Sequence, residues 1–442
     1  MMKKMKNESG KWKVVLLICT SMAFLFPFSS FHLASAQDTS KVRIKPYGFV
    51  RNYLNYDSRK TYTVVGGEYN MLPYDELWNE DHTEDLNAVP HTNLQALTSR
   101  FGLAVSGPRL LGMKSGAKLE GDFGGFGTNN TVLRLRLAYL KLSDGDDEIL
   151  VGQDWHPMSG AIMPEVLDMA AGAPFRPHSR TPQVRTTLYW HSVGVTAAFL
   201  WQLQYMNNGP LSATDPTSTA SIQYAHNALW PETFGAANFK HGPFFVQLGY
   251  DVQVLKPRTH APVGGVTRRV DEHVLSASPT FYAQYAEGPW AVKFRTLLAR
   301  NTSHLNQLVG YAVTGVNPDG SWNYSPMSAS VSYLNVAFGK KYRLNLFLGY
   351  MKNLGAGKEL YDFGSGDYRI YMKGGEHFTH LNSLYRIAPS LSYNVAAFNL
   401  GLEYEYTAAT YGDISADGSI LDNNNLHQVR NHRLCLLVKY NF

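Results

Sequence analysis

At 442 residues, with 40 Lys and Arg against 35 Asp and Glu, the chain is long enough for two or three soluble domains and carries a formal charge of +5. Residues 1–36 hold five lysines and one glutamate, a net +4, so the remainder carries only about +1 and gives no reason to expect a nucleic-acid partner. Two cysteines, Cys19 and Cys435, exclude a disulfide framework and a cysteine-based metal centre.

The chain opens on an export address. Lys3, Lys4, Lys6, Lys11 and Lys13 form a basic stretch, an apolar run from Val14 to Phe28 follows, and Ala34-Ser35-Ala36 offers the small residues a signal peptidase accepts. Cleavage there makes 1–36 a signal peptide and Gln37 the first mature residue. The apolar run is short for a membrane helix, which needs about 20 residues. Cys19 lies inside it as apolar filler.

Beyond residue 36 no apolar stretch is long enough to cross a membrane as a helix. The chain is nonetheless 13% aromatic, with 27 tyrosines. An exported, Tyr-rich and polar sequence of this kind can hide membrane character in alternation. Taken in order, candidate strands fall near 44–54, 98–106, 115–123, 132–141, 147–154, 183–190, 193–205 and 232–240. The second half adds 243–254, 272–285, 289–301, 328–339, 342–352, 379–393, 396–408 and 427–442. Leu133, Leu135, Leu137 and Tyr139 oppose Arg134 and Arg136 at period two. Val246, Leu248, Tyr250 and Val252 oppose Gln247, Asp251 and Gln253, and Trp290, Val292, Phe294 and Leu298 oppose Lys293 and Arg295. Tyr342, Leu344, Leu346, Leu348 and Tyr350 oppose Arg343 and Asn345, and Phe398 to Tyr406 alternates with Glu403 and Glu405. One such segment would fit a half-buried soluble strand; the repetition, with aromatics at segment ends, fits strands that face lipid on one side.

The last strand is the plainest. Leu434, Leu436, Val438, Tyr440 and Phe442 make one face; Arg433, Cys435, Leu437, Lys439 and Asn441 make the other. In a soluble sheet that apolar row would be an aggregation edge. In a barrel it closes the wall, and its terminal Phe442 resembles the signal by which outer-membrane assembly machinery recognises its clients.

Short connections at Ser143-Asp144-Gly145-Asp146, Lys240-His241-Gly242, Glu287-Gly288 and Gly339-Lys340 alternate with long polar ones near 55–97, 155–182, 206–231, 255–271, 302–327, 353–378 and 409–426. The connection at Gly124–Asn130 is the one short member of the long set. The sequence therefore predicts an all-β, transmembrane antiparallel β-barrel of about sixteen strands over 37–442, with both termini on the short-turn side. Fourteen and eighteen are the other even counts the pattern allows. The first strand begins too soon for a lumenal plug domain.

Function is expected in the lumen. Alternation turns Arg100, Lys118, Glu120, Asp122, Arg134, Arg136, Arg185, Lys293, Arg295, Arg343, Arg386, Glu403, Glu405, Arg433 and Lys439 inward, with basic groups in excess. The long connection at 155–182 carries Trp155-His156-Pro157-Met158, Met163-Pro164-Glu165, Ala170-Ala171-Gly172-Ala173-Pro174 and Arg176-Pro177-His178. Small residues and prolines let such a loop fold against a wall, and as the third long loop it is expected to form a constriction. Its acids Asp154, Glu165 and Asp168 are expected to face Arg134, Arg136 and Arg185 across a narrow path, with Arg176 nearby. Ser159 and Ser179 lie close to His156 and His178, but neither serine has a nucleophile elbow around it. No catalytic role, cofactor or metal is expected; the rival readings are an outer-membrane barrel enzyme of lipase or protease type and a loop-presenting surface adhesin.

Gly48-Phe49-Val50-Arg51, Ser99-Arg100-Phe101-Gly102 and Gly116-Ala117-Lys118-Leu119-Glu120-Gly121-Asp122-Phe123 resemble porins of the DcaP-like group. So do Val151-Gly152-Gln153-Asp154-Trp155 and Thr181-Pro182-Gln183-Val184-Arg185, and the Tyr-rich style is similar to porins of the Bacteroidota. The likeness is densest over 45–190. It implies a trimeric sixteen-stranded porin, embedded in outer-membrane lipid and lipopolysaccharide, that passes small polar, mainly anionic solutes. A trimer would pack through small Gly and Ala residues on outer faces near both chain ends. His156-Pro157-Met158 after the Trp and the long acidic first loop depart from the group's pattern and bear on solute preference.

Overall fold

Two-residue alternation puts every second side chain on one face of a strand, and in the computed structural model that alternation closes on itself. The structure describes residues 42–442 apart from 65, 66, 68, 126–131, 160–162 and 422–424. The signal peptide expected over 1–36 and most of the connection at 124–130 lie outside the described residues.

Among the described residues, sixteen strands form one antiparallel barrel. The first eight are β1 (Arg43–Asp57), β2 (two segments, His91–Gln95 and Arg100–Leu110), β3 (Met113–Asp122), β4 (Arg134–Asp144), β5 (Asp147–Trp155), β6 (Arg180–Trp190), β7 (Val193–Leu200) and β8 (Glu232–His241). The rest are β9 (Phe244–Leu255), β10 (Val274–Glu287), β11 (Trp290–Arg300), β12 (Ser328–Gly339), β13 (Tyr342–Gly355), β14 (Leu381–Val395), β15 (Phe398–Tyr411) and β16 (His427–Asn441). Short turns join them at one end, where Gly242 and Gly288 take left-handed φ values of 54° and 59° that a side chain would resist. Eight longer connections lie at the other end: L1 (58–90), L2 (123–133), L3 (156–179), L4 (201–231), L5 (256–273), L6 (301–327), L7 (356–380) and L8 (412–426).

Closure is made by β1 and β16, paired from Phe49↔Asn441 to Asp57↔Arg433. Gly48 and Phe442 exchange both backbone hydrogen bonds at 3.0 Å. A Cβ at Gly48 would lie 2.6 Å from Cζ of Phe442, so the terminal ring seats only against glycine.

The outer face is apolar. Leu344, Leu346, Leu400, Leu402, Leu434, Leu436 and Val438 are all exposed there. At the short-turn rim aromatic pairs form a girdle, with ring centroids 4.5 Å apart for Trp290–Phe338, 4.9 Å for Phe398–Tyr440 and 5.0 Å for Tyr342–Tyr393. A charge on the lipid face near mid-membrane costs about 2–4 kcal/mol, which turns the Arg, Lys and Glu of these strands inward. No described helix is long and apolar enough to cross a membrane; the crossing is made by strands.

Two departures from simple alternation bear on the lumen. Strand β2 begins at His91, and its first segment pairs with the loop end of β1. In β4 a β-bulge intervenes: Glu120 pairs with Leu137 but Gly121 with Leu135, leaving Arg136 as the extra residue. Past the bulge the two faces exchange. Leu137 and Tyr139, expected outward, therefore face the lumen, while Leu140 is 67% exposed on the outside. The Gln153 amide donates to the carbonyls of Leu135 and Arg136, 2.9 Å each, and satisfies the backbone the bulge leaves open.

The core of the molecule sits inside the barrel. Tyr69, Met71 and Leu72 of L1, Met158 and Phe175 of L3, and Leu305, Leu308 and Val309 of L6 pack with inward-facing Phe234, Tyr282, Leu297, Tyr333 and Phe347. Burying side chains of this size contributes about 1.5–3 kcal/mol each. The lumen is thus partly filled by folded loops.

Candidate functional site

L3 enters the lumen at Trp155. Its root is clamped by the His156 N–H donating to Ser179 O (3.0 Å) and by the Ser159 hydroxyl donating to Pro177 O (3.0 Å). Arg176 holds the turn from within, donating to the Pro177 carbonyl (2.8 Å) and the Ala171 carbonyl and contacting His178 Nδ1 at 2.8 Å. L6 braces L3 from above: the His178 N–H donates to Leu305 O at 2.7 Å, and the Asn306 amide donates to His178 O at 3.0 Å.

From that root the loop crosses to the opposite wall. The Glu165 carboxylate accepts from Nε and one terminal nitrogen of Arg343 at 2.8 and 2.9 Å and lies 3.5 Å from Lys293, while the Glu165 backbone N–H donates to the Asn335 side-chain oxygen at 2.8 Å. Glu403 accepts the N–H groups of Leu167 (2.8 Å) and Asp168 (2.7 Å), and Tyr53 donates to Leu167 O (2.8 Å). Asp168 lies 3.5 Å from Arg433. Burial, then the neighbouring Glu405 charge, push the Asp168 carboxyl up to about 7. The loop expected at 155–182 is therefore folded across the lumen.

Its charges meet different partners from those expected. Asp154 does sit beside Arg185, at 2.9 Å, and Glu148 completes that pair at 2.8 Å. Glu165 and Asp168 instead contact Lys293, Arg343 and Arg433. Arg134 and Arg136 are neutralised on their own wall. Arg134 makes a two-pronged pair with Asp122 at 2.9 Å, and Arg136 reaches Glu120 at 2.9 Å and Asp122 at 2.8 Å. Neighbouring strands supply the counter-charge because the inward positions of β3 and β4 lie side by side. Arg295 also faces in, but L3 covers it, and it donates to the Met158 carbonyl while lying over the Tyr282 ring.

A water-accessible group of cations with little compensation lies at the barrel seam. Arg51, Arg100 and Lys439 surround the Phe49 ring, 5.1, 4.9 and 4.5 Å from its centroid. Lys118 lies 4.9 Å from the Tyr47 ring. One carboxylate serves this group: Glu120, 3.5 Å from Arg100 and 3.9 Å from Lys118, already engaged by Arg136. Arg51 and Lys439 make no ion pair among the described residues. Arg100 and Lys118 keep 20% and 30% of their side-chain surface, so the cluster is open to lumenal water. Arg51 was missed as a lumenal residue because Pro46 and Gly48 obscure the face of the first strand; its pairing with Lys439 fixes it.

A second accessible part of the lumen is a cavity of about 590 Å³ lined by Glu148, Asp154, Trp155, Arg185, Asn238 and Gln247, among others. Neither loop serine is set up as a nucleophile. Ser159 donates to a carbonyl and accepts the Ser179 N–H, while the His156 ring bonds to Glu232 and the His178 ring to Arg176. One group among the described residues has metal-ligand character: His156, Glu232 and His304.

No family model and no curated protein matches the sequence. Solved structures do match. A loop L8 deletion mutant of OmpT, an outer membrane protein of Vibrio cholerae, is 10% identical over 91% of this chain and 99% of its own, with a TM-score of 0.51. An anion-selective porin from Comamonas acidovorans is 12% identical over 91% of this chain and 100% of its own, also at 0.51. Outer-membrane expressed OmpT of Vibrio cholerae is 11% identical over 92% and 99%, at 0.50. The barrel has the fold of outer-membrane porins; the narrower resemblance to the DcaP-like group gains no support from these neighbours.

Proposed function

From a membrane-spanning barrel of porin fold whose third loop crosses the lumen, we propose that the protein is an outer-membrane diffusion porin with a preference for small anionic solutes. The observation that carries the preference is the cluster of Arg51, Arg100, Lys118 and Lys439, served by the single shared carboxylate of Glu120. Cations fixed on a low-dielectric wall lower the barrier for anions and raise it for cations. Guanidinium forks suit carboxylates and phosphates in particular. An anion-selective porin among the structural neighbours accords with this reading. Loops filling the lumen make the path narrow, so conductance is expected to be small.

The barrel on this reading assembles as a trimer in outer-membrane lipid and lipopolysaccharide, its Phe442 strand being the handle for the assembly machinery. Small outward side chains do not gather at both chain ends: β15 and β16 present Leu, Val and Tyr. They gather on β7 and β8, where Ala197, Gly235 and Ala237 lie together, and that face is the closer fit for barrel-to-barrel contact. Native mass measurement in mild detergent checks the trimer, and a monomer alone would remove it. Uptake into proteoliposomes checks the transport reading. Small carboxylates are expected to enter faster than neutral sugars of similar size. No uptake of either, or faster entry of organic cations, would overturn it.

A further inference from the structure

Where L3 and L6 meet the wall, four side chains from four separate segments converge. His156 is the first residue of L3, Glu232 the first of β8, Asp251 lies on β9, and His304 in the short 3-10 turn Ser303–Leu305 of L6. All four are buried, between 0% and 5% exposed. His156 Nε2 and His304 Nε2 each lie 2.9 Å from the same oxygen, Glu232 Oε1. Asp251 Oδ1 lies 3.8 Å from His156 Nε2 and has no hydrogen-bond partner. The candidate donor atoms of His156, Glu232 and His304 lie within 4.8 Å of one another.

We propose that His156, His304, Glu232 and Asp251 bind one divalent transition-metal ion of the zinc class, which staples L3 and L6 to the barrel wall. Two imidazole nitrogens and two carboxylate oxygens are a donor set that suits zinc, with bonds of about 2.0–2.2 Å. Four such bonds in a tetrahedron place the donors roughly 3.3 Å apart; the two His–Glu232 separations of 2.9 Å and the His156–Asp251 separation of 3.8 Å lie either side of that spacing, and the two imidazoles are within 4.8 Å of each other.

Charge gives a second argument. Two carboxylates share this buried pocket, and neither forms an ion pair with Lys or Arg among the described residues. Unpaired buried charge is costly. A divalent ion neutralises both carboxylates and gives the orphaned Asp251 oxygen a partner. Without an ion, the alternative is a proton-bonded cluster in which both imidazoles donate to Glu232 and the Asp251 and Glu232 carboxyl groups share a proton. In that arrangement His156 Nδ1 accepts the Met158 N–H at 3.2 Å. Metal at Nε2 requires the proton on Nδ1, so binding must release that contact. The two states thus differ in composition and in a specific hydrogen bond.

The test uses the untagged full-length barrel purified from membranes. Elemental analysis after exhaustive dialysis is expected to find a single zinc-class ion per chain. Cobalt(II) added to the chelator-stripped protein is expected to give the strong visible absorption of a tetrahedral site. Asp251→Asn and His304→Gln, each shown to fold by heat-dependent gel mobility, are expected to lose the ion. A wild-type barrel that holds no ion, and whose stripped form neither takes up zinc nor melts higher in its presence, would overturn the proposal. An ion retained in both variants would overturn it equally, by placing the metal elsewhere. Should neither variant fold, zinc titration of stripped wild type against unstripped protein decides alone: saturation at one ion per chain supports the site, and no saturable uptake refutes it.

Discussion

Replacing Glu403 by Gln should loosen the third loop without disturbing the barrel. The buried Glu403 carboxylate accepts two backbone N–H groups of L3, from Leu167 at 2.8 Å and Asp168 at 2.7 Å. Glutamine keeps the shape but turns an amide donor toward one of those donors. A buried N–H that loses its acceptor costs about 1–3 kcal/mol, so docking weakens by about 2 kcal/mol, roughly a thirtyfold rise in the undocked fraction. The Tyr53 bond and the Glu165–Arg343 pair remain. A native reporter lies beneath the loop: Cys435 is buried, packs with Leu167 and Met169, and is the only cysteine after residue 36. A small thiol reagent applied to folded protein at fixed pH should label Cys435 slowly in wild type and roughly thirtyfold faster in Glu403→Gln, by the same relation. Equal rates in the two proteins would refute the docking argument, as would wild-type labelling as fast as that of denatured chain.

Further outcomes follow from the same contacts. Asp168 binds its proton more tightly in the folded protein, so its contribution is full below the unfolded carboxyl value of about 4 and is lost as pH rises through about 7; the melting temperature should fall across that window, and Asp168→Asn should flatten the decline. Replacing Arg134 and Arg136 together by Ser leaves Asp122 and Glu120 buried without those partners, at about 3–5 kcal/mol for a broken buried pair, so the gel heat-shift should occur at markedly lower temperature; an unchanged shift would show that the pairs are not buried in the membrane-embedded protein. Deleting Phe442 removes both bonds to Gly48 and should reduce the yield of heat-modifiable barrel, measured in membranes.

Period-two alternation made most of the sixteen strands legible, because charge on the lipid face is costly and most strands are long enough to repeat the pattern; Pro46 and Gly48 blur it in β1, and β8 is short. Loop composition was nearly as informative: the prolines and small residues of 155–182 do fold inward. What alternation could not show was a change of phase. Leu137 and Tyr139 follow Arg136 in unbroken rhythm, and only pairing with β3 reveals the extra residue. Nor could it show which inward charges cancel, since Arg134 and Asp122 are neighbours through a register and not through the sequence. Phe234, Leu297 and Phe347 face inward against loops, and that lumenal apolar core has no periodic signature. His156, Glu232 and His304 are spread across the chain and meet only because L3 and L6 fold onto the wall.

On the proposed reading a cation cluster at the seam, with one shared carboxylate, sets selectivity, and the reversal potential in a planar bilayer under a salt gradient tests this most directly. Arg51 and Lys439 are suited to the test because neither makes an ion pair among the described residues, so Arg51→Ser with Lys439→Ser strands no described carboxylate. Wild-type protein is expected to reverse on the anion-preferring side, with the preference fading at high salt as screening shortens the reach of the wall charges. The double variant should move the potential toward cations with its heat-shift unchanged. A cation-preferring wild type, or a folded double variant whose reversal potential does not move, would contradict selection by the seam cluster.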